Sequence, residues 1–234
     1  MIAKSPEELN DMLNDINSAS KPVGLNMHLG KTKVMFNDHA IKSTITVNNK
    51  IIEEVDRYVY LGKTVKQDGE LLPEINKRIA LGWAAFGKVE NIMKSRKSSM
   101  KIKRRLFNEC ILPVMTYGSE TWTLSKPIIE KLSVAQHKME RIMLGITLRD
   151  KKRNSWIRQQ TSVTDIIDYV KKSKHRWAGH ISRFTDNRWT VRVTEWTPRS
   201  WSRKRGRPKT RWRDDLRPLK LDCEFPVARP RCDF

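Results

Sequence analysis

Residues 24–36 read Gly-Leu-Asn-Met-His-Leu-Gly-Lys-Thr-Lys-Val-Met-Phe. The Gly30-Lys31-Thr32 triplet inside this stretch decides the fold class, because the tail of a phosphate-cradling loop would commit the chain to a nucleotide-binding α/β sheet. The same four letters, LGKT, return at Leu61-Gly62-Lys63-Thr64. A phosphate loop requires G-x-x-x-x-G-K-[ST], since the loop length sets which backbone N–H groups converge on the phosphates. Five places before Gly30 stands Leu25, with Gly24 one place too early, and five before Gly62 stands Arg57. Neither copy qualifies. Their flanks share nothing wider, so the pair is no internal repeat either. Two basic turns remain, each beside a strand, carrying Lys31, Lys33 and Lys63.

Upstream of the first turn, Ser5-Pro6-Glu7-Glu8 is a capping box with proline at the first helical position, and Leu9, Met12, Leu13 and Ile16 form one apolar stripe. The helix should end between Ser18 and Pro22. Downstream the texture is strand-like: Val34-Met35-Phe36, then Thr44–Val47 and Ile51-Ile52 as a hairpin turned by Asn48-Asn49-Lys50, then Tyr58–Gly62 closed by Gln67-Asp68-Gly69. Beyond Leu71 the period changes to that of helices. Ile75, Ile79, Trp83 and Phe86, continuing to Val89 or Met93, mark a long one. Others are predicted over Met100–Leu112, stopping at Pro113, and over 127–144, 154–160 and 164–182. The last carries Ile166, Ile167, Val170 and Trp177. Their Met, Trp and Leu residues are core material. From Arg183 the pattern dissolves into a tail where Trp189, Trp196, Trp201 and Trp212 stand among arginines and prolines.

Composition narrows the partner. There are 47 lysines and arginines against 26 acids in 234 residues, a net charge of +21. Such an excess repels itself, and a polyanion relieves it; nucleic acid is the leading partner, as RNA, DNA or hybrid duplex. No apolar run approaches the roughly 18 residues of a membrane span, and the first residues lack the apolar core of a signal peptide. Cys110, Cys223 and Cys232 are too scattered for a disulfide framework or a zinc site, so the expected setting is reduced and intracellular. His175 and His180 stand five apart, off a common helical face, without a third metal ligand nearby.

Several motifs resemble a known family. Gly24–Lys33 with Val34-Met35-Phe36 behind it is similar to the "GL-x-x-N-x-x-KT" segment of reverse transcriptases, and Tyr58-Val59-Tyr60-Leu61-Gly62 to their "Y-x-YLG" primer-grip strand. Tyr117-Gly118-Ser119-Glu120-Thr121-Trp122, His175-Arg176-Trp177-Ala178-Gly179-His180 and Gly206-Arg207-Pro208-Lys209-Thr210-Arg211-Trp212 resemble motifs of non-LTR retrotransposon polymerases of the RTE type. Their order and spacing extend over most of the chain. Two positions depart from the pattern: His28 where the family usually has asparagine, and Gly30 where serine is frequent.

The resemblance implies RNA-templated DNA synthesis with Mg²⁺ for the intact family enzyme, held by aspartates in an "[FY]ADD" turn. Met1-Ile2-Ala3 resembles the end of the strand after that turn, so the chain is expected to lack the metal-binding aspartates and to be inactive alone, without a cofactor of its own. Asp11-Asp15, Glu53-Glu54-Asp56 and Asp214-Asp215 are the remaining acid groups; the first pair reads as solvated and the last as partnered by Arg211 or Arg213. Lys31 matches a lysine thought to approach the leaving pyrophosphate, the one weak catalytic candidate, although a plain turn lysine is the simpler reading.

The resemblance also assigns the helical middle to a thumb, a cradle for template and primer. Lys101, Lys103, Arg104 and Arg105 cluster on one helix there, and Arg176 and Trp177 follow on another. In the tail, Arg203-Lys204-Arg205-Gly206-Arg207-Pro208-Lys209 is similar to an AT-hook, with Arg211 and the stacking candidates Trp201 and Trp212 beside it. The same run would serve nuclear import.

The expected fold is α+β, mainly α. It comprises a partial palm with short hairpins (1–70), a helical thumb-like bundle (71–182) and a basic, poorly ordered tail (183–234). Two functions stay open: a fragment of a retrotransposon reverse transcriptase that retains its nucleic-acid-holding parts, or a host-retained, non-catalytic DNA- or RNA-binding protein with an AT-hook-like tail.

Overall fold

The computed structural model describes residues 1–37, 40–66, 70–186, 189–195 and 210–216. Its contacts divide the chain into two units, Met1–Glu74 and Ile75–Phe234.

In the first unit, helix α1 (Pro6–Ser20) starts as its capping residues dictate. Ser5 Oγ accepts from the Glu8 N–H, while the Glu8 carboxylate accepts from the Lys4 N–H at 2.7 Å. A single turn over Lys21–Val23, closed by Gly24 at φ +76°, ends it. Six short strands follow: β1 (Lys33–Val34), β2 (Thr46–Val47), β3 (Lys50–Ile51), β4 (Glu53–Glu54), β5 (Arg57–Tyr60) and β6 (Lys63–Lys66). β1 pairs parallel with β4, whereas β2–β3 and β5–β6 are antiparallel hairpins.

Asn48 and Asn49 turn the first hairpin at φ +50° and +60°, the left-handed pair that a two-residue loop between twisted strands demands. The second hairpin differs from expectation. The predicted strand through Gly62 instead turns back at Leu61-Gly62, φ +48° and +79°, and pairs Tyr60 with Lys63. Helix α1 covers the first hairpin with Leu13, which joins Val34, Phe36, Ile45, Val47 and Ile52 in one core. Two asparagines on α1 fix the register. Asn10 Oδ1 accepts from the Thr46 N–H, and Asn17 donates to Asn48 Oδ1, both at 2.9 Å.

The second unit is helical: α2 (Leu72–Lys88), α3 (Glu90–Lys94), α4 (Met100–Leu106), α5 (Leu112–Met115), α6 (Lys126–Leu144), α7 (Asn154–Thr161), α8 (Ile166–Ser182) and α9 (Trp189–Glu195). The helix predicted to reach Met93 breaks at Val89, whose ψ of 15° leaves the helical region, and resumes as α3. The one predicted to stop at Pro113 does not stop. A π-turn over Phe107–Ile111 joins α4 to α5, so the backbone widens ahead of a proline that could neither donate nor fit in a regular helix. Gly82 on α2 lets Met115 of α5 come so close that a Cβ would collide with its Cγ and lie 2.9 Å from its Sδ.

Phe107, Ile111, Met115, Trp122, Leu132, Met139, Ile157, Ile166 and Val170 are buried in this unit. Several groups of its polar interior are paired, while Trp122 Nε1, His137 Nδ1 and Arg158 Nε are buried without a hydrogen-bond partner among the described residues. Gln136 Nε2 donates to Thr164 O and its Oε1 accepts from the Ile166 N–H, each at 2.8 Å. Glu140 accepts from Thr161 Oγ1 at 2.9 Å and lies 3.2 Å from Arg158, which also pairs with Asp165. Burial pushes the Glu140 carboxyl up, with Arg158 opposing. Burial acts the same way on Asp165, but Arg158 and the N–H groups it caps outweigh that and hold it below the usual range.

The chain is α+β and mainly α. The segment after α8 is not formless where it is described, since α9 and a turn over Trp212–Leu216 both belong to it.

Candidate nucleic-acid interface

The first LGKT copy is a closed turn. His28 O accepts from the N–H groups of both Lys31 and Thr32, at 3.0 and 3.1 Å, and His28 Nδ1 also faces the Lys31 N–H at 3.1 Å. Those donors are therefore engaged internally, and a phosphate would find none of them free. Lys31 is exposed; its carbonyl accepts from Tyr58 OH at 3.0 Å. Lys33 pairs with Glu53 across the β1–β4 register, and Lys42 pairs with Glu54. Lys63 sits half-buried in β6 opposite Tyr60.

On α4 the predicted basic face is largely engaged. Lys103 is buried, its ammonium 2.7 Å from Met143 O at the end of α6, and burial lowers its pKa. Arg104 Nε donates to Thr161 O at 2.9 Å, closing the end of α7. Arg105 pairs with Glu109 one turn away. Cations at helix C-termini satisfy carbonyls that have no intrahelical donor. Lys101 stays exposed.

Helix α8 presents the opposite case. Lys172, Arg176, His180 and Arg183 follow at spacings of 4, 4 and 3, one face of a helix, and all four are exposed. Among the described residues no carboxylate pairs with Lys172, Arg176 or Arg183. The stripe runs about 16 Å at 1.5 Å per residue. Beside it Trp177, His180 and Phe184 form an aromatic ladder, with ring centroids 5.9 and 4.9 Å apart. Cations that track a backbone, next to rings on which bases stack, are what a nucleic-acid surface needs. Of the residues singled out by motif, Arg176 and Trp177 lie here. Lys172 and Arg183 belong to no motif, but the 4-4-3 spacing of basic residues through this helix carries the signal.

The inner face of α8 binds the chain's own tail. Lys174 is fully buried, 2.8 Å from Trp122 O, 2.5 Å from Asp215 and 5.1 Å from the Trp212 ring centre. Asp215 also accepts from the Leu124 N–H at 2.9 Å, and Trp212 donates its indole N–H to Glu120 O at 2.6 Å. Asp214 accepts from the Arg211 N–H at 2.8 Å. The partner of Asp215 is thus Lys174, not the neighbouring arginines expected. Half-buried Trp212 has its N–H and one face engaged inside the fold. Arg211 is exposed. The AT-hook-like run, Arg203 through Lys209, and Trp201 lie outside the described residues.

The acid groups named from the sequence have separate settings. Asp11 and Asp15 are exposed on α1, Glu53 and Glu54 face lysines, and Asp214 and Asp215 bind the tail in place. Among the described residues no group of three or more His, Cys, Asp or Glu side chains is placed to hold a metal. No described helix is long and apolar enough to cross a membrane.

An uncharacterized transposon-derived protein of Caenorhabditis elegans is 38% identical to this chain over 226 residues, covering 93% of the chain and 80% of the relative. The chain belongs to this transposon-derived family. That origin agrees with the mobile-element resemblance of the motifs at the coarser level of a transposon. No protein-family profile matches the chain, and no solved structure does. The three C-terminal motifs meet in space: Glu120 and Trp122 of the first contact Trp212 of the last and Lys174, the residue before the second. Packing is reason enough for them to occur together.

Proposed function

We propose that this transposon-derived chain is a C-terminal portion of a non-LTR retrotransposon reverse transcriptase of the RTE type, and that its own task is to hold nucleic acid. The order of the polymerase-like motifs supports the first part. The observation that carries the second is the α8 stripe, three cations without a carboxylate partner among the described residues beside an aromatic ladder. Within a net charge of +21, these are charges the fold leaves for a ligand. The chemistry of DNA synthesis is not assigned to these residues, because, of the acids named above, Glu53, Glu54, Asp214 and Asp215 are engaged elsewhere and Asp11 and Asp15 are exposed. The AT-hook-like run and nuclear import are parts of the same proposal.

Fluorescence anisotropy across a salt series tests it, with labelled DNA duplex, RNA–DNA hybrid and single strands. Each duplex phosphate contact contributes about 0.9 to the slope of log K against log salt. Replacing Lys172, Arg176 and Arg183 together by alanine should therefore flatten the duplex slope by about 2.7. A wild-type chain that binds none of these ligands at low salt would refute the reading, as would an unchanged slope in the triple variant.

A further inference from the structure

The turn between α6 and α7 is a second concentration of charge, and no sequence motif marks it. Residues 149–153 read Arg-Asp-Lys-Lys-Arg, and all five are exposed. The one acid is in structural use: the Asp150 carboxylate accepts from the Thr147 N–H at 2.6 Å and from its hydroxyl at 3.0 Å, bonds that hold its pKa down. The turn is braced on both sides. Gly145, at φ +67°, closes α6, with the Ile146 N–H bonded to Arg141 O at 3.0 Å, and Arg141 reaches across to Asn154 Oδ1 at 2.7 Å. Lys151 holds a left-handed φ of +49°. Arg149, Lys151 and Arg153 have no side-chain partner among the described residues, while Lys152 lies 5.2 Å over the ring of Trp156. Trp156 is 37% exposed, and its neighbour Ile157 is fully buried, so the ring stands on a fixed base with one side open.

We infer that this turn is a single-strand-binding site. Arg149, Lys151 and Arg153 hold backbone phosphates, and one unstacked base takes the place of the Lys152 ammonium on the face of Trp156. The inference rests on the nucleic-acid reading above but concerns another surface and a narrower ligand. Exposure of the whole turn leaves its cations open to a strand. The ring argues likewise, since stacking needs a base whose face is free, which a blunt duplex lacks except at its ends. An anionic membrane is the less suitable occupant. Leu148 is exposed beside the cations, yet α7 presents Asn154, Ser155, Gln159 and Gln160 to solvent, with no apolar face to insert.

The test uses the full chain, fluorescein-labelled oligothymidylate, a blunt DNA duplex and phosphatidylserine vesicles. Trp156→Ala should weaken oligothymidylate binding about tenfold or more, from the loss of one stacked base, and change duplex binding less than twofold. Trp156→Phe keeps a stacking face and should retain most of the affinity. Replacing Arg149, Lys151 and Arg153 by alanine should lower the single-strand salt slope by about 2, at about 0.7 per contact. Melting by circular dichroism confirms that each variant folds, and a Trp156→Ala chain that did not would leave the phenylalanine and arginine–lysine variants to decide. Unchanged oligothymidylate affinity in the turn variants overturns the inference, as does equal loss for strand and duplex. So does an effect confined to vesicles. If the turn variants bind normally while the α8 triple variant does not, only this inference fails; a wild-type chain that ignores every oligonucleotide fails both.

Discussion

Removing the Asp215 carboxylate should be among the most damaging single changes to the helical unit, although the residue stands 91 positions from the backbone it caps at Leu124. Lys174 is fully buried, and Asp215 is the carboxylate in contact with it, at 2.5 Å, with the Asp214 charge acting from farther off; its other partners are Trp122 O and the face of Trp212. Burial pushes the Lys174 pKa down while Asp215 pulls it back up, so the ammonium is tolerated because the carboxylate is there. Asp215→Ala leaves that charge without its contacting carboxylate, a loss of about 3–5 kcal/mol. It also strips the Leu124 N–H of its acceptor, and because the two effects share one site they do not add. For a chain of this size about 4 kcal/mol corresponds to a fall in Tm of roughly 8–16 °C. The assay is thermal unfolding by circular dichroism at neutral pH, run beside Lys174→Met with Asp215→Leu. Replacing both partners removes the unpaired charge, so that double variant should melt well above Asp215→Ala. In the parent, the buried ammonium costs most while protonated. Stability contributed through Lys174 should therefore rise as pH climbs from its lowered folded pKa toward the ordinary 10.5. An Asp215→Ala chain melting within about 1 °C of the parent would refute the reasoning and release residues 210–216 from the core.

Gly82→Ala should destabilise the unit, because the new Cβ meets buried Met115. Overpacking costs about 1–3 kcal/mol and outweighs the gain of about 1 kcal/mol in helix propensity; a raised urea midpoint would contradict the close α2–α5 approach. Leu61→Asn should stabilise by about 1 kcal/mol, since Leu61 holds φ +48° with its side chain 75% exposed, and asparagine accepts that backbone readily; a lowered midpoint argues against the tight β5–β6 turn. Burial first, then Arg158 and Arg141, holds the His137 pKa below its ordinary 6.5. The unfolded chain therefore takes up that proton first, and stability should fall as pH drops below 6.5 toward the folded pKa. Glu140, its pKa raised by burial, works in the opposite direction as pH falls further. His137→Gln should flatten the fall between pH 7 and 5 in denaturation curves, and an unaltered profile would remove His137 from the account.

The elements legible in the sequence were those whose cause is local. Ser5-Pro6-Glu7-Glu8 caps α1, Asn48-Asn49 turns the first hairpin, and periodicity locates α6, α7 and α8 to within about two residues of their observed ends. What escaped depends on partners far away in the chain. Pro113 stops a helix in isolation, but a π-turn five residues long absorbs it. Nothing near Asp215 announces a lysine 41 positions earlier, so neighbouring arginines were the expected partners, and of the two acids it is Asp214 that accepts from Arg211. On α4 the same cause draws two cations inward: Lys103 and Arg104 answer carbonyls at the ends of α6 and α7, which only the packed unit brings within reach.

This redistribution changes what a motif in this chain signifies. Trp212 looks in sequence like a stacking contact for nucleic acid, and Trp122 and the lysine before His175 stand in or beside the motifs. In the fold they close on one another, Trp212 through Glu120 O and Lys174 through Trp122 O. A buried ammonium and an engaged indole N–H cannot meet a ligand without first giving up bonds worth more than a screened phosphate contact returns. Residues that no motif marks, Lys172 and Arg183 on α8 and Arg149, Lys151 and Arg153 in the α6–α7 turn, keep their charges exposed and uncompensated among the described residues. Binding strength should therefore follow these exposed cations together with Arg176, and folding stability the engaged residues Trp122, Lys174 and Trp212. A variant set drawn from each group would separate the two, since one should shift the salt slope at constant Tm and the other the Tm before any change in slope.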